Sequence, residues 1–312
     1  MSGERPLDLV TGAFSYSGSR IAEQLLEADG RVRTLTFHPD RPHALRGEVE
    51  SFPYFFDDPV ALTRSLEGVR TLYNTFWVRF DHGPASFANA IEHSRMLFFA
   101  AKRAGVTRIV HLSITNPSIE SPLPYFRGKA LVEYALAQSG VAYSIVRPTW
   151  IFGGEHDILA NNIAWILRRM PVLALPGDGR YLVQPVHVDD LARICIESAR
   201  FDRDAVIDAA GPETMPFHDL VALVRKAVGA RSRIVHVHPR VMAAAARALG
   251  VVVRDVVVTP DEIKGLMQGL LVSHEPPLGT TAFSQWLEEH RGSVGRSYAN
   301  ELDRHFAPVA TA

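Results

Sequence analysis

The chain has 312 residues, of which 47% are hydrophobic and 21% charged, so its composition is that of a globular protein and excludes a disordered or fibrous chain. Its net charge of −1 gives no electrostatic case for binding nucleic acid or an anionic membrane. A single cysteine, Cys195, excludes an internal disulfide, and with an N-terminus that lacks a signal-peptide core it predicts a cytoplasmic protein without a membrane partner.

Strands and helices are predicted to alternate through the first half of the chain. Apolar or alternating runs predict strands at residues 7–11, 31–37, 49–56, 69–75, 107–114 and 141–146. Amphipathic runs predict helices that end near residue 30 and that cover residues 59–67, 85–104 and 123–139. This alternation is typical of a Rossmann-type, doubly wound α/β fold, in which helices cover both faces of a parallel sheet.

After Gly154 the alternation becomes irregular and mostly helical. We predict a nucleotide-binding Rossmann domain over residues 1–155, with its sheet completed by parts of 180–212. Residues 156–312 are predicted to form a smaller, mostly helical substrate lobe and C-terminal helices. Aromatic and amide side chains at the start of this lobe are expected to line a substrate pocket: Trp150, Phe152, His156, Asn161, Asn162 and Trp165.

A glycine-bearing turn, GAFSYSG, follows the first strand and opens the first helix. Gly12 and Gly18 would let the backbone approach a pyrophosphate, which the positive end of the helix attracts. Ser15 stands where such turns usually have their middle glycine. Because glycine turns between a strand and a helix also occur without a ligand, the motif alone leaves both interpretations open.

The end of the second strand bears on the choice of nucleotide. An NAD-specific site has an Asp or Glu there for the ribose diol, whereas this strand ends in Thr36 and is followed by His38 and Arg41. These side chains favour NADP by facing its 2′-phosphate, although they also fit a solvated loop. Asp57, after the third strand, is interpreted either as a partner of the adenine amino group or as the N-cap of the next helix.

Tyr125 and Lys129 are four residues apart on a predicted helix and therefore share one of its faces. An ammonium beside a phenol favours the phenolate and lowers the pKa of the tyrosine, which suits proton transfer. The alternative is an exposed helix on which Lys129 pairs with Glu133. Ser113 and Thr115 end the fifth strand at the ligand-binding edge, where they would hold a substrate oxygen or bond their own turn.

The thirteen histidines do not form a metal-binding motif. His236 and His238 would share one face of a strand, and His187 precedes two aspartates, but the close Cys/His spacing of metal sites is missing. The sequence therefore predicts no metal site. The serines lack a G-x-S-x-G elbow, so a hydrolase has no support either.

Several motifs together resemble a known superfamily. They are VTGAFSYSGSRIAEQLL, the NT of LYNTF, HLSIT, YFRGK, IVRPTWIFGG and QPVHVDDLA. The chain resembles the extended and atypical short-chain dehydrogenase/reductases, and more narrowly the NAD(P)-dependent epimerase/dehydratase group with its NmrA-like and complex-I-accessory-subunit-like relatives. The resemblance extends over nearly the whole chain, although its specific motifs end near residue 192.

The resemblance implies a role for each matching position. Gly12, Ser15 and Gly18 would line the pyrophosphate turn, Asn74 and Thr75 would border the ribose and nicotinamide, and Pro148 and Thr149 would lie near the carboxamide. Tyr125 would be the general acid/base, and Lys129 would bind the nicotinamide ribose and lower the pKa of Tyr125. Thr115 would hold the substrate oxygen, with Ser113 as the fallback. The chain departs from the family at Ser15 and at Ile114, which breaks the usual run of hydroxyls.

We therefore expect an oxidoreductase or epimerase/dehydratase-like enzyme that uses NADP, with NAD as the other option. It would act on a small carbonyl, hydroxyl or sugar-type substrate by hydride transfer, with Tyr125 as acid/base. The alternative is a non-catalytic NADP(H)-binding sensor or assembly protein, since some relatives bind the cofactor without turnover. Family members occur as monomers and dimers, so a homodimer is one expectation.

Overall fold

The computed structural model describes residues 5–154 and 157–306, so His156 lies outside the described residues. The strands are β1 (Leu7–Thr11), β2 (Arg31–Thr36), β3 (Val49–Pro53), β4 (Val69–Asn74), β5 (Arg108–Leu112), β6 (Ala142–Pro148), β7 (Trp150–Phe152), β8 (Val172–Pro176), β9 (Leu182–Val183), β10 (Pro185–His187), β11 (Ala205–Ala209), β12 (Met215–Pro216) and β13 (Arg233–Val237). The helices are α1 (Tyr16–Glu27), α2 (Pro59–Ser65), α3 (Phe87–Ala104), α4 (Pro124–Ala137), α5 (Leu159–Arg169), α6 (Val188–Ser198), α7 (Phe217–Ala227), α8 (Pro239–Val253), α9 (Pro260–Met267), α10 (Phe283–His290) and α11 (Glu301–Phe306).

The chain divides into two compact units. The first comprises Met1–Pro148 and Leu191–Asp208, and the second comprises Thr149–Asp190 and Ala209–Ala312. Within the described part of the chain, no helix is both long enough and apolar enough to cross a membrane.

A seven-stranded sheet with the order β11-β6-β5-β4-β1-β2-β3 forms the centre of the first unit. The six neighbouring strands β6, β5, β4, β1, β2 and β3 all pair in parallel. The chain reverses its direction of travel across the sheet between β1 and β4, which makes the carboxyl ends of these two strands the switch point where such sheets bind ligands. The predicted Rossmann-type doubly wound α/β fold is therefore confirmed.

Burial explains why the central strands form. Every residue of β1 and β5 is buried, as expected for parallel strands that helices cover on both faces. Leu9, Leu72 and Ile109 are fully buried in the sheet and belong to one core with residues of α3 and α4. α3 ends at Gly105, whose φ of 78° is the left-handed conformation that glycine adopts most easily at a helix end.

One predicted helix boundary needs correction. The N-cap of α2 is Asp58 and not Asp57, because the Asp58 carboxylate accepts hydrogen bonds from the backbone N–H groups of Val60 and Ala61, each at 3.0 Å. Asp57 is exposed one residue earlier. The N-cap interpretation of Asp57 is therefore wrong.

The second unit contains three two-stranded sheets, which pair β7 with β10, β9 with β12 and β8 with β13. Its helices pack around a hydrophobic core that includes Trp150, Phe152 and Trp286. Trp150 is 5% and Phe152 0% exposed, so these two aromatic residues stabilise the unit from within rather than line an open pocket.

Candidate functional site

The turn between β1 and α1 has a backbone that favours glycine at Gly12 and requires it at Gly18. Gly12 has a φ of 66°, and its N–H donates to the carbonyl of Leu35 at 2.8 Å. A Cβ atom on Gly18 would overlap the carbonyl oxygen of Gly12, so a side chain at Gly18 would push α1 away from the turn. The turn and the first turn of α1 therefore lie in direct backbone contact.

Ser15 is the N-cap residue of α1, but its side chain does not cap the helix. Its hydroxyl instead donates to the carbonyl of Gly12 at 2.6 Å, which closes the turn. No cap from this side chain competes with an anion for the backbone N–H groups of the first turn, and the positive end of the helix dipole attracts negative charge. These residues fit the pyrophosphate of a dinucleotide, and Ser15 replaces the usual glycine without closing the helix end.

The end of β4 borders the same turn. The hydroxyl of Thr75 donates to the carbonyl of Thr11 at 2.5 Å and lies 3.7 Å from the place that a Cβ on Gly12 would occupy. Asn74 is fully buried, its amide oxygen accepts hydrogen bonds from Thr11 and from the backbone of Phe76, and its amide nitrogen contacts Nδ1 of His111 at 3.1 Å. Thr75 therefore lies beside the turn, whereas Asn74 connects the ends of three strands.

The loop after β2 approaches the same turn. His43 packs against Phe14 of the glycine turn with ring centroids 5.2 Å apart. Burial lowers the pKa of His43, and the nearby positive charge of Arg41 lowers it further. Arg41 is therefore close enough to act electrostatically on His43, which packs on the turn, and the backbone carbonyl of His38 accepts a hydrogen bond from the N–H of Arg41.

Tyr125 and Lys129 lie on successive turns of α4. Tyr125 is half-buried, whereas Lys129 is only 3% exposed and its ammonium donates to the carbonyl of Leu112, the last residue of β5, at 2.8 Å. Burial lowers the pKa of Lys129 to about 7, although the charge of Glu133 opposes this shift. The strand end thus holds the amine of Lys129 in place, and its charge changes near neutral pH.

Glu133 does not form the predicted alternative pair with Lys129. Its carboxylate forms a bidentate ion pair with Arg147 of β6, with Nε–Oε1 and Nη2–Oε2 distances of 3.0 and 2.5 Å, and it accepts a hydrogen bond from the hydroxyl of Ser113. The Ser113–Glu133–Arg147 network therefore joins α4 to the ends of β5 and β6. The hydroxyl of Ser113 is engaged in this network, so the geometry does not support its fallback role as the group that holds a substrate oxygen.

Thr115, Pro148 and Thr149 are connected through the backbone. Thr115 is fully buried, and its N–H donates to the carbonyl of Pro148 at 3.0 Å. In the second unit, the N–H and the hydroxyl of Thr149 both point to the carbonyl of Ala209, at 3.1 and 3.5 Å. The roles that the resemblance implies for these three residues stay predictions.

Trp77 was not predicted as a site residue, but its ring lies against the amine of Lys129. Its ring centroid lies 4.8 Å from Nζ of Lys129, and its plane stands edge-on to the ring of Tyr125 at 5.9 Å. Phe87 also stacks on Trp77, with ring centroids 5.9 Å apart. A cation over an indole face is a favourable contact, so Trp77 buries Lys129 and still stabilises its positive form.

Gly128 makes room for Trp77. A Cβ atom at this position of α4 would lie 2.8 Å from Cη2 of Trp77, closer than the two groups can approach. Packing against Trp77 therefore explains why the YFRGK motif has a glycine at this position. The aromatic run NTFWVRF after the fourth strand was the one sequence signal for this contact, because it follows a strand end at the ligand-binding edge.

His111 is a buried histidine close enough to Lys129 to be affected by its charge. It is fully buried, and burial together with the charge of Lys129 holds its pKa well below the usual value. Among the described residues, its Nε2 atom has no hydrogen-bond partner. His111 is therefore neutral, and Lys129 is the group beside it whose charge changes near pH 7.

Comparison with protein families finds a match that begins at the glycine turn and covers nearly half of the chain. Residues 12–160, which include the glycine turn, Tyr125 and Lys129, match the family described as NAD(P)H-binding. The chain is also similar to the solved Citrobacter sp. triphenylmethane reductase complexed with NADP(H), with a TM-score of 0.75 at 16% identity over 91% of this chain and 99% of that one. At this identity the similarity shows a shared fold.

Two relatives are similar in sequence. NADH dehydrogenase (ubiquinone) 1 alpha subcomplex subunit 9, mitochondrial, of Arabidopsis thaliana is 24% identical over 226 residues, which are 69% of this chain and 56% of that subunit. Photosystem II assembly factor Ycf39 of Cyanophora paradoxa is 22% identical over 237 residues, which are 73% of this chain and 71% of that factor. The match to the Arabidopsis subunit thus spans little more than half of its length. Together the comparisons confirm the predicted superfamily resemblance and an NAD(P)H cofactor.

Proposed function

Since the chain has an NAD(P)H-binding domain and is related to the extended and atypical short-chain dehydrogenase/reductases, we propose that it is an NADP(H)-dependent oxidoreductase for a small carbonyl or hydroxyl compound. The observation that carries the proposal is the pair of Tyr125 and Lys129 on α4. Lys129 is anchored to the end of β5, and Tyr125 is half-buried one turn away. Both contact the same indole ring of Trp77.

Different residues of the chain bind the cofactor and transfer the proton. Gly12, Gly18 and the first turn of α1 hold the pyrophosphate, and the bound cofactor supplies the hydride. Tyr125 donates a proton to the substrate oxygen in reduction and accepts it in oxidation. Lys129 in its positive form stabilises the phenolate of Tyr125 and so makes the phenol a stronger acid.

Two features of the pair support a working acid/base system. With its pKa lowered to about 7, Lys129 carries the positive charge that assists Tyr125 below about pH 7. The neutral His111 behind it adds no competing positive charge. Thr115 is fully buried, so its assignment to the substrate oxygen stays a prediction.

A preference for NADP over NAD is part of the proposal. β2 ends without a carboxylate, and Arg41 is close enough to act electrostatically on His43, which packs on the glycine turn. A guanidinium there would form charge-assisted hydrogen bonds to a 2′-phosphate. The exposed Asp57 would face the adenine, as the sequence suggested.

A second candidate function is cofactor binding without turnover, as in a sensor or an assembly protein. One observation favours it: Lys129 is only 3% exposed, and its amine already donates to the carbonyl of Leu112 and lies 4.8 Å from the ring centroid of Trp77, which leaves little of it open to a ribose. One of the relatives is named as an assembly factor. The two functions differ in whether bound NADPH is ever oxidised.

The experiment follows NADPH absorbance with a panel of aldehydes, ketones, quinones and nucleotide sugars. With a substrate in hand, Tyr125→Phe should lower kcat by roughly 10²–10⁴-fold, the usual contribution of a general acid, without weakening NADPH binding. Tyr134→Phe, at an exposed tyrosine of the same helix, is the matched control and should leave kcat unchanged. Normal turnover by Tyr125→Phe would contradict the mechanism, and tight NADPH binding without oxidation across the panel would favour the sensor.

A further inference from the structure

An open cleft of about 920 Å³ lies on the second unit, where the turn after β8, the start of α7 and the end of β13 meet. Its lining includes the imidazoles of His218 and His236 and the charged groups of Asp178, Arg180 and Asp219. None of these residues belongs to the cofactor site or to the predicted substrate pocket. The cleft is therefore separate from the residues to which the proposed function assigns a role.

The two imidazoles face each other at the cleft. Nδ1 of His218 and Nε2 of His236 are 3.1 Å apart, and the rings lie with centroids 5.1 Å apart and planes at 24°. One of the two nitrogens donates a proton to the other, so the pair shares one hydrogen. Neither ring is needed to fill a core, because His236 is exposed and His218 half-buried.

The backbone holds the pair in this position. The N–H of His218 donates to the carbonyl of Gly179 at 2.9 Å, which fixes the start of α7 on the turn. Gly179 has a φ of 70°, and a Cβ atom there would lie 3.2 Å from Nε2 of His236. His236 lies on β13, which pairs in parallel with β8. Three separate backbone segments thus bring the two side chains together.

The nitrogen separation is that of two neighbouring ligands on one metal ion. Zinc–imidazole bonds of about 2.0–2.1 Å at angles between about 90° and 109° place the two nitrogens about 2.8–3.4 Å apart. For both nitrogens to face an ion, the shared proton moves to the other nitrogen of its ring, and each ring tilts toward a common point. Two imidazoles select late first-row ions rather than Mg²⁺ or Ca²⁺, which prefer oxygen.

The charges around the pair favour a cation. Asp178 and Asp219 bring two negative charges to the cleft and Arg180 one positive charge, so the lining is net negative when the histidines are neutral. Across the described parts of the chain, no group of three or more His, Cys, Asp or Glu residues has the geometry of a metal site. Water or a ligand atom would therefore complete the coordination of an ion held by the histidine pair.

We propose that His218 and His236 form a two-imidazole chelate for a divalent late first-row metal ion, Cu²⁺, Ni²⁺ or Zn²⁺, with open coordination positions facing the cleft. In the sequence, His236 stands with His238 on one face of a predicted strand, and no metal site was predicted there. The partner that the fold supplies is instead His218, 18 residues earlier in the chain.

The test titrates the untagged full chain, freed of metal by a chelator, with CuCl₂ and separately with ZnCl₂. One Cu²⁺ ion should bind per chain, and more tightly than Zn²⁺, as the general order of metal affinities requires. His218→Gln and His236→Gln should each weaken binding at least about tenfold, since changes in the surroundings of a ligand alone cost 10–100-fold. The electron paramagnetic resonance spectrum of bound Cu²⁺ should show two coordinating nitrogens in the native chain and one in either variant.

Two further variants separate the chelate from unspecific binding. His274→Gln, at an exposed histidine outside the cleft, should leave affinity and spectrum unchanged. Arg180→Ala should strengthen binding severalfold, because it removes the positive charge from the lining. Circular dichroism verifies that each variant is folded. Unchanged affinity in either His218→Gln or His236→Gln, or a spectrum with fewer than two nitrogens in the native chain, would overturn the proposal.

Discussion

At the scale of single residues, Lys129 has the most unusual environment of the candidate site. Its ammonium is buried against an indole face and one backbone carbonyl, while the nearest carboxylate, that of Glu133, is paired with Arg147. A buried amine that lacks its own carboxylate destabilises the fold, because burial disfavours the charged form. Such a residue is expected where function requires the charge.

Replacing Lys129 with Met should therefore separate function from stability. Lys129→Met should reduce kcat at least about 10²-fold, because the phenolate of Tyr125 loses its stabilising cation. The free energy of unfolding should not fall, because a buried charge is removed. The pKa of Lys129 is about 7 in the folded state and about 10.4 in the unfolded chain. The gain in stability over the native chain should then be largest below pH 7 and decrease as the pH rises toward 10.4.

Chemical denaturation at several pH values measures the stability change, and steady-state kinetics measure the activity. In the native enzyme, kcat/KM for carbonyl reduction should fall as the pH rises through about 7, since Lys129 loses its proton there. Lys129→Arg keeps the charge and should move this fall to higher pH. A strongly destabilised Lys129→Met variant would contradict our account of the burial of this residue.

Among the elements, α4 packs on the sheet through the hydrophobic core, and two further contacts fix its position. The Ser113–Glu133–Arg147 network joins it to β5 and β6 through charge and hydrogen bonds. Trp77 packs on α4 at Gly128 and so connects the helix to the loop after β4. Together these contacts fix the helix that carries Tyr125 and Lys129. A change in either contact should therefore alter the positions of these two side chains.

The contact between Gly128 and Trp77 gives a prediction at this scale. Gly128→Ala should displace the indole and lower stability by about 1–3 kcal/mol, the usual cost of overpacking, although alanine is the better helix former by about 1 kcal/mol. In a Trp77→Leu background the same change should no longer destabilise, because the smaller side chain leaves room for the new Cβ. Denaturation of the four chains as a double-mutant cycle measures the coupling.

Gly47→Ala is the control for this series, because a Cβ at Gly47 would meet no atom within 4 Å. Tryptophan fluorescence should shift to longer wavelength in Gly128→Ala if the indole becomes more exposed. Equal effects of Gly128→Ala in the native and Trp77→Leu backgrounds would show that the two residues are not coupled.

At the scale of the whole molecule, cofactor binding should be visible as stabilisation. A ligand present at 100 times its Kd stabilises the folded chain by about 2.7 kcal/mol. NADPH should therefore raise the Tm by several degrees, and NADH should do so less at equal concentration. Arg41→Ala should remove most of the NADPH advantage and leave the NADH shift unchanged, because only the 2′-phosphate loses a charged partner.

Arg46→Ala is the matched control in thermal-shift measurements. Arg46 is a neighbouring arginine that pairs with Asp40 at the surface, at 3.0 Å, and its removal should change neither shift. An equal loss of the NADPH and NADH shifts in Arg41→Ala would show that this residue does not distinguish the two cofactors.

Much of the fold was predictable because its signals are local. The alternation of apolar strands with amphipathic helices predicted the Rossmann-type sheet, and the order of the motifs placed the glycine turn on the first βα unit. Errors remained at element ends, such as the cap of α2, where two adjacent aspartates offer the same signal and only the backbone path selects Asp58. The predicted domain limits and the roles of the individual site residues stay predictions.

Local sequence patterns were enough to identify the chemical groups and their spacing: two glycines at a strand–helix turn, and Tyr125 and Lys129 one helical turn apart. Helix and strand periods fix which residues within a few positions share a face, so these relations need no tertiary information. Packing of the folded chain was needed to show that Trp77 lies against Lys129, that Glu133 pairs with Arg147 rather than with Lys129, and that His218 contacts His236. Contacts between side chains distant in sequence depend on how strands and helices pack, which no local periodicity records.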